Sequence, residues 1–456
     1  MIDLSKRRLI YIYLLSISSL IQCASDPCST LYKKHPAFYA YIIGDISSDR
    51  IYHEHASEVY ATPASCQKVV TALIALKTLG SDYRYVTNLS VSKTNEGVIH
   101  NTVISFSGDP TLTSEQLEQL LKPLQNNTIT GTLFLDASAF KTSPYSTNIM
   151  MDDPGTSYAQ PISAINIDKN IIEAIVQPTE IDKPAQVQTN IAYRPLSTIT
   201  TSADSSQFSV LWENGIMKAY GIINKDSSPV TIRLSPLETE PFIACKIVRI
   251  LDKLHINVNG RISIVNDATD IPTNTEIINK IVSAPLKDII APALKQSDNF
   301  VFDCLYLTII HAHSTGTITN WNAGTPVIKE LLQKHFAIDF ENAVFVDGSG
   351  LSRYNCIQPK KLLQLLKCAY SIPEFMHALA TPGEENSTLA KRTTLPSTIK
   401  AKTGNMGGIS CLCGYDMQEK TPKAFVIMVN SFGPPLSAMF TIIDTFIKDQ
   451  CQGTCG

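Results

Sequence analysis

Hydrophobic patterning divides the chain into two helix-rich textures separated by a long β-rich interval. Near the start, Phe38 to Asp45 and Ile51 to His55 are runs of strand-forming residues that turn around Ser47-Ser48-Asp49, which predicts a hairpin. Beyond Ala61-Thr62-Pro63-Ala64, the residues Val69, Val70, Ala72, Leu73, Ile74 and Leu76 put apolar side chains nearly all round a helix that stops at Gly80. A helix of that kind is buried. From about Tyr85 the texture changes to short strands, predicted at Val86 to Val91, Val98 to Phe106 and Thr128 to Asp136. Between them Thr113 and Gln116 can form a capping box for a helix that uses Leu117, Leu120 and Leu121. A second polar, β-rich region, roughly Asp168 to Asp267, predicts strands near Val230 to Ser235 and Ile256 to Val265 around a helix from about Pro241 to Leu254. The helical texture returns past Pro285, through Leu286 to Ile310 and Gln358 to Ala369. Strands at Thr398 to Ala401, Gly408 to Tyr415 and Ala424 to Asn430 then close on a helix from Leu436 to Lys448. The fold class expected is α/β (α+β), with a sheet edge beside the helix that follows Ser65. No internal repeat or low-complexity tract is present, so the interval reads as inserted domains and not as linker.

Composition bounds the partners. With 456 residues, 44% of them hydrophobic and 17% charged, the chain can fold into two or three domains. A net charge of −3 gives no reason to expect nucleic acid or an anionic membrane surface. Lys6-Arg7-Arg8 precedes the uncharged, mostly apolar run Leu9 to Ile21, too short to span a bilayer. That is the pattern of a signal peptide, here assigned to residues 1–24, so the mature protein is expected outside the cytoplasm. Cleavage is expected near Ala24; Leu20-Ile21-Gln22-Cys23 is an imperfect lipoprotein box that leaves anchoring at Cys23 as the alternative. Otherwise any membrane association is peripheral, and a homodimer is possible.

Eleven cysteines in an exported chain permit disulfides, with Cys451 and Cys455 the most plausible local pair. Cys411-Leu412-Cys413 places two thiols on one face of a strand, where packing is favoured over bridging. Neither His53-Glu54-His55 nor His311-Ala312-His313 has further ligands near it in sequence, and both read as surface or core histidines. No metal and no organic cofactor is expected.

The candidate chemistry starts at Ser65. If Ser65 opens the buried helix, Lys68 lies one turn on, and its amine can reach the serine oxygen. An alcohol is a weak nucleophile until a base takes its proton, and a lysine can act as that base only when burial or a second cation lowers its pKa. Two later stretches complete a set: Ser297-Asp298-Asn299 ahead of the apolar run Phe300 to Ile310, and Lys402-Thr403-Gly404 ending the short strand-like run Thr398 to Ala401. Ser-x-x-Lys, Ser-Asp-Asn and Lys-Thr-Gly in that order mark penicillin-binding proteins and class A β-lactamases. Asp298 reads as a helix-start residue and Gly404 as a point of close backbone approach. Cys66 is an alternative nucleophile, ranked below Ser65 for want of a nearby histidine.

With Gly108-Asp109-Pro110, Ser283-Ala284-Pro285-Leu286 and the loop Asp347-Gly348-Ser349-Gly350-Leu351-Ser352-Arg353 added to these motifs, the chain resembles the three-domain, low-molecular-mass class C penicillin-binding proteins, the DacB-type D-alanyl-D-alanine carboxypeptidase/endopeptidase family. The resemblance implies a penicillin-binding/β-lactamase-like transpeptidase domain made of residues 25–85 and 275–456, an inserted domain at 86–165 and another at 166–274. It implies peptidoglycan peptide stems as substrate, β-lactams as covalent inhibitors, and a periplasmic location. Ser65 is then the nucleophile, Lys68 its base and Ser297 a proton relay. Asn299 holds the substrate amide and orients Lys68. Lys402 keeps Lys68 neutral and draws in the substrate carboxylate, Thr403 binds that carboxylate, and the Asn405 and Ser65 amides form an oxyanion hole.

A pocket for the diaminopimelate side chain of the stem is expected from Arg353, Asp153 (chosen over Asp152) and the aromatic Tyr158. Gly407 stands where some members carry a Gln. Two other readings are a serine β-lactamase, which would turn over the drug quickly, and a non-catalytic cell-wall-binding penicillin sensor, which would release no D-alanine.

Overall fold

A computed structural model describes residues 36–94, 96–314, 320–418, 422–433 and 435–452. The signal segment, Cys23 and Cys455 lie outside the described residues, as does the Cys451 side chain. Strands β1 (Phe38–Asp45) and β2 (Ile51–His55) form the expected hairpin, and a short turn leads to helix α1 (Gln67–Thr78), which is buried from Gln67 to Leu76. The chain then leaves for a long excursion. It returns through α4 (Leu286–Gln296), α5 (Asn299–His313), α6 (Gly324–Phe336), α7 (Pro359–Ala369) and α8 (Pro373–Ala378) to strands β16 (Ile399–Met406), β17 (Ile409–Asp416) and β18 (Lys423–Asn430) and a last helix α9 (Leu436–Gln452).

The five strands at the two ends of the chain make one sheet, ordered β16-β17-β18-β1-β2, so the first and last parts of the sequence share a core. Side chains alternate across a strand. Cys411, Cys413, Val426 and Met428 therefore face the helices that include α1, while Leu412, Phe425, Ile427 and Val429 face Met439, Ile443 and Ile447 of α9. Covered on both faces, β17 and β18 are buried along their whole length, which explains why their sequences are nearly continuous apolar runs.

The excursion contains β3 (Val86–Lys93), β4 (Ile99–Ser105), α2 (Ser114–Leu121), β5 (Thr128–Ile129), β6 (Leu133–Asp136), β7 (Ile172–Gln177), β8 (Gln186–Thr189), β9 (Leu196–Ser202), β10 (Gln207–Glu213), β11 (Ile216–Asn224), β12 (Val230–Leu234), α3 (Thr239–Lys253), β13 (Asn257–Val258), β14 (Ile262–Val265) and β15 (Glu276–Val282). The Thr113–Gln116 capping box closes as expected at the start of α2. The runs expected as single strands at Thr128 to Asp136 and Ile256 to Val265 are each split in two, where Gly131 and Gly260 cross so closely that a Cβ on Gly260 would lie 2.2 Å from the Gly131 carbonyl oxygen. Strand pairing also moves the expected boundaries. β14 pairs with β6 and β15 with β3, completing the sheet β14-β6-β4-β3-β15. Residues 262–282 thus join the sheet of the first insert; hydrogen bonding across the sheet outweighs neighbourhood in sequence. Only β7 to β12 form two separate three-stranded sheets, ordered β10-β11-β9 and β12-β7-β8.

Exit and return meet at one point. The Ser283 amide donates to the Tyr85 carbonyl at 3.0 Å, and the Tyr85 amide donates to Ser283 Oγ at 2.9 Å. Gly108-Asp109-Pro110 forms a second joint. Asp109 is buried and accepts from the Thr111 amide at 2.8 Å, and Asn166 Nδ2 bridges the Gly108 carbonyl and Cys304 of α5.

Candidate active site

Ser65 sits in a single 3-10 turn, Ala64–Cys66, that runs directly into α1. Ala64 has φ of +47°, a left-handed conformation rare for a residue with a side chain. Two glycines hold the turn by leaving room for it. A Cβ on Gly350 would stand 1.9 Å from the Ala64 carbonyl oxygen, and one on Gly404 would stand 2.5 Å from the Pro63 carbonyl oxygen and 3.0 Å from the Ser65 amide nitrogen. The loop and the edge strand β16 therefore press on the turn with bare backbone.

Lys68 lies one helical turn beyond Ser65 and is fully buried. Its Nζ donates to Ser65 Oγ at 2.9 Å, to Asn299 Oδ1 at 2.6 Å and to the Ser349 carbonyl at 2.7 Å. Burial first, and the nearby Lys402 cation second, pull its pKa down from 10.5 to about 7. Three hydrogen bonds from one ammonium fix its position, and a pKa near neutrality lets it exist as an amine. This geometry lets a hydroxyl give its proton to an adjacent nitrogen.

Ser297-Asp298-Asn299 is the joint between two helices. Ser297 ends α4 in a left-handed conformation, with φ of +62°. Asp298 caps α5, its Oδ1 accepting from the Val301 amide at 3.1 Å, as the helix-start reading expects. Asn299 opens α5 and donates from Nδ2 to the Tyr158 carbonyl at 2.8 Å, tying the first insert to the Lys68 amine. The strained backbone at Ser297 aims its hydroxyl at Lys402, whose Nζ donates to it at 2.9 Å and to the Thr403 carbonyl at 2.6 Å. Lys402 is buried as well, and desolvation lowers its pKa to about 8.

An open cleft of about 500 Å³ lies over these groups. Ser65, Ser297, Asn299, Thr403 and Asn405 line it, and so do Asp153, Tyr158 and Arg353, so the expected stem-reading residues reach the same cleft as Ser65. Tyr158 donates to Asp153 Oδ1 at 3.0 Å, while Arg353 is exposed. Asp152 also lines the cleft and is more exposed than Asp153. A Cβ on Gly407 would lie 3.2 Å from Arg353 Nη2, so glycine there leaves the guanidinium its room. Thr403 Oγ1 donates to Thr388 Oγ1 at 2.8 Å, and Asn405 Oδ1 accepts from Ser410 at 2.9 Å.

The glycine-rich loop works mainly through its backbone. Carbonyls of Asp347, Gly348 and Ser349 accept from Gln67, Thr71 and Lys68 of α1, while the buried Asp347 carboxylate gathers the amides of Gly350 and Ser352 at 2.7 Å each. Cys66, Cys411 and Cys413 are buried free thiols, and Cys66 Sγ points to the Lys402 carbonyl at 3.4 Å. That orientation takes it away from the cleft that Ser65 lines. Among the histidines, His55 stacks on Tyr41 and His313 reaches Glu330 at 3.2 Å.

Two residues escaped the sequence reading. Asp303 lies one turn after Asn299 on α5, where its Oδ1 accepts from the Gly348 and Ser349 amides at 3.0 and 2.9 Å and its charge raises the Lys68 pKa against the other effects. Burial, then Asp347, push its own pKa well up. The signal was present: Asp303 is the one acid in the run Phe300 to Ile310. Thr388 had no such signal, being a polar residue in a loop.

The chain is 29% identical over 444 residues to the D-alanyl-D-alanine carboxypeptidase DacB of Haemophilus influenzae, covering 92% of this chain and 91% of that one. It is 26% identical over 422 residues to the D-alanyl-D-alanine carboxypeptidase of Actinomadura sp. (strain R39), covering 86% and 78%. The crystal structure of penicillin binding protein 4 (dacB) from Haemophilus influenzae superposes with a TM-score of 0.78 at 26% identity, covering 90% of this chain and 94% of that one, and the same protein has been solved with a β-lactam bound. The model of the D-Ala-D-Ala carboxypeptidase 3 (S13) family matches residues 30–442, and the chain belongs to that family.

Proposed function

We propose that this chain is a serine-type D-alanyl-D-alanine carboxypeptidase/endopeptidase acting on peptidoglycan peptide stems through an acyl-enzyme on Ser65, and that β-lactams inhibit it by forming the same ester. The observation that carries the reading is the Ser65–Lys68 contact of 2.9 Å, made by a buried lysine whose pKa is lowered to about 7. Lys68 takes the Ser65 proton as the oxygen attacks the carbonyl of the penultimate D-alanine. Ser297, held by Lys402, passes a proton to the leaving amine. Asn299 orients Lys68 and holds the substrate amide, Lys402 and Thr403 meet the terminal carboxylate, and the Ser65 and Asn405 amides receive the oxyanion. Water then opens the ester. The inserts act as domains of the fold, and Asp153, Tyr158 and Arg353 read the stem side chain.

The test is mass spectrometry after exposure to labelled penicillin, alongside release of D-alanine from a pentapeptide. Ser65→Ala is expected to lose both the adduct and the activity, with stability changed by no more than ~1 kcal/mol, since it removes only a small, partly exposed hydroxyl. An adduct retained on that variant places the nucleophile elsewhere. Export to the periplasm is part of the reading. Sequencing the mature protein is expected to find an N-terminus close to Ser25, and an acylated Cys23 would mean lipid anchoring instead.

A further inference from the structure

Beside the cleft over Ser65 lies a larger groove, of about 980 Å³, at the meeting of α2, α3 and the Ser297 joint. It adjoins the cleft through consecutive residues. Gln296 and Asp298 line the groove and flank Ser297, which lines the cleft, and Ser157 lines the groove next to Tyr158 of the cleft. The two spaces therefore meet at Ser297, the hydroxyl proposed to hand a proton to the leaving amine.

The groove is built from charges of both signs. Lys169 pairs with Asp298 at 2.5 Å, Lys246 with Asp168 at 2.6 Å and Lys253 with Glu118 at 2.6 Å, while Arg249 donates to the Asn190 carbonyl. Asp168, Lys169 and Asn170 all have positive φ, between +50° and +54°. Three such residues in a row cost conformational energy, which is tolerated where the surroundings dictate the geometry. Here Asp168 is gripped by Ser114 and Lys246, and Asn170 Nδ2 by the Pro161 carbonyl at 2.9 Å, with the result that Lys169 reaches Asp298 beside the joint.

We propose that this groove binds the leaving-group side of a cross-linked substrate, a second peptide stem carrying both carboxylates and amines. The assignment rests on the reading of Ser65 as nucleophile. In the step concerned, the Ser65 oxygen bonds to the acyl carbon, the amide carbon–nitrogen bond breaks, and the serine proton ends on the departing nitrogen. Water later hydrolyses the ester, restoring the hydroxyl and freeing the acid. When the departing amine is D-alanine, it fills little of a space at the upper end of the range for drug-sized ligands. When the amine belongs to a second stem, the rest of that stem must continue past Ser297, where the groove begins. Alternating ion pairs suit such a ligand, because each of its charges can meet an opposite one, whereas a polyanion would be opposed by Glu118, Asp168 and Asp298.

The experiment compares kcat/KM on a purified pentapeptide monomer and on a purified cross-linked stem dimer, for the wild type and for the double variant Arg249→Glu/Lys253→Glu. Both side chains are exposed on α3, so the variant is expected to melt with the wild type. The ratio of dimer to monomer kcat/KM is expected to fall about tenfold, the loss of roughly one charge-assisted contact. Arg249→Lys, which keeps the charge, is expected to hold most of the ratio. Raising ionic strength should raise KM for the dimer more than for the monomer. Parallel losses on both substrates, or a wild type that releases D-alanine yet leaves the dimer uncut, overturn the groove assignment while the Ser65 reading stands. Absence of both D-alanine release and the penicillin adduct overturns the Ser65 reading and this one with it.

Discussion

Lys68 and Lys402 are two buried amines joined to two serine hydroxyls, and their protonation sets when the site can work. With Lys68 as the proposed base, acylation needs it neutral, so the rate should climb with pH through about 7; with Lys402 proposed to hold a carboxylate, it must stay charged, so the rate should fall above about 8. A bell-shaped profile for acylation by a carboxylate-bearing penicillin is the expected result. Asp303 raises the Lys68 pKa, so Asp303→Asn should move the acid limb to lower pH; a limb that stays in place means that Asp303 carries a proton. The same lysines make stability depend on pH. Their folded pKa values lie below 10.5, so between about 7 and 10.5 the unfolded chain binds more protons than the folded one. Stability from these two groups therefore rises with pH across that window. The denaturation midpoint of the wild type relative to Lys402→Met, followed from pH 7 to 10, reads this directly.

At the scale of elements, the site depends on how closely three backbones approach. The 3-10 turn of Ser65 is pinned between Gly350 of the loop and Gly404 of β16. Gly350→Ala combines a left-handed φ of +81° with a clash against the Ala64 carbonyl. It should cost at least about 1–2 kcal/mol from the backbone conformation alone, and slow penicillin acylation by shifting Ser65 relative to Lys68. Chemical denaturation and the acylation rate should move together; an unchanged rate would mean that the turn keeps its place without the loop. Behind the sheet, Arg392 and Asp444 form a buried two-pronged ion pair that ties the segment before β16 to α9, with Nε to Oδ2 at 3.1 Å. Arg392→Ala leaves a carboxylate without its cation in the interior and should cost about 3–5 kcal/mol, read as a lower denaturation midpoint.

For the whole molecule, the cleft over Ser65 is assembled from distant stretches. Asp153 and Tyr158 come from the first insert and Arg353 from the glycine-rich loop, and they meet because the Tyr158 carbonyl is held by Asn299. Asp153→Ala and Arg353→Ala should each raise KM about tenfold for a stem whose side chain bears an amine and a carboxylate, while acylation by a small penicillin lacking that side chain barely changes. Equal losses on both would show that these residues support Ser65 and not the stem.

Local patterning was enough to place the hairpin of β1 and β2, the apolar α1, the Thr113 capping box and the three closing strands, because hydrophobic period and capping chemistry act over a few residues. The order Ser65-x-x-Lys68, Ser297-Asp298-Asn299, Lys402-Thr403-Gly404 likewise made the candidate chemistry legible, since the first two sit at helix starts and the third lies within a strand, where local spacing and strand alternation orient the side chains. Tertiary structure decided what depends on strands finding partners far away. β14 and β15 return to the first insert's sheet because unpaired sheet edges are satisfied by whichever strand can reach them, and sequence separation does not enter that choice. Only packing could bring Asp303 under the loop or Thr388 beside Thr403, and only burial, a property of the assembled core, turns Lys68 from an ordinary surface cation into an amine that can accept a proton at neutral pH.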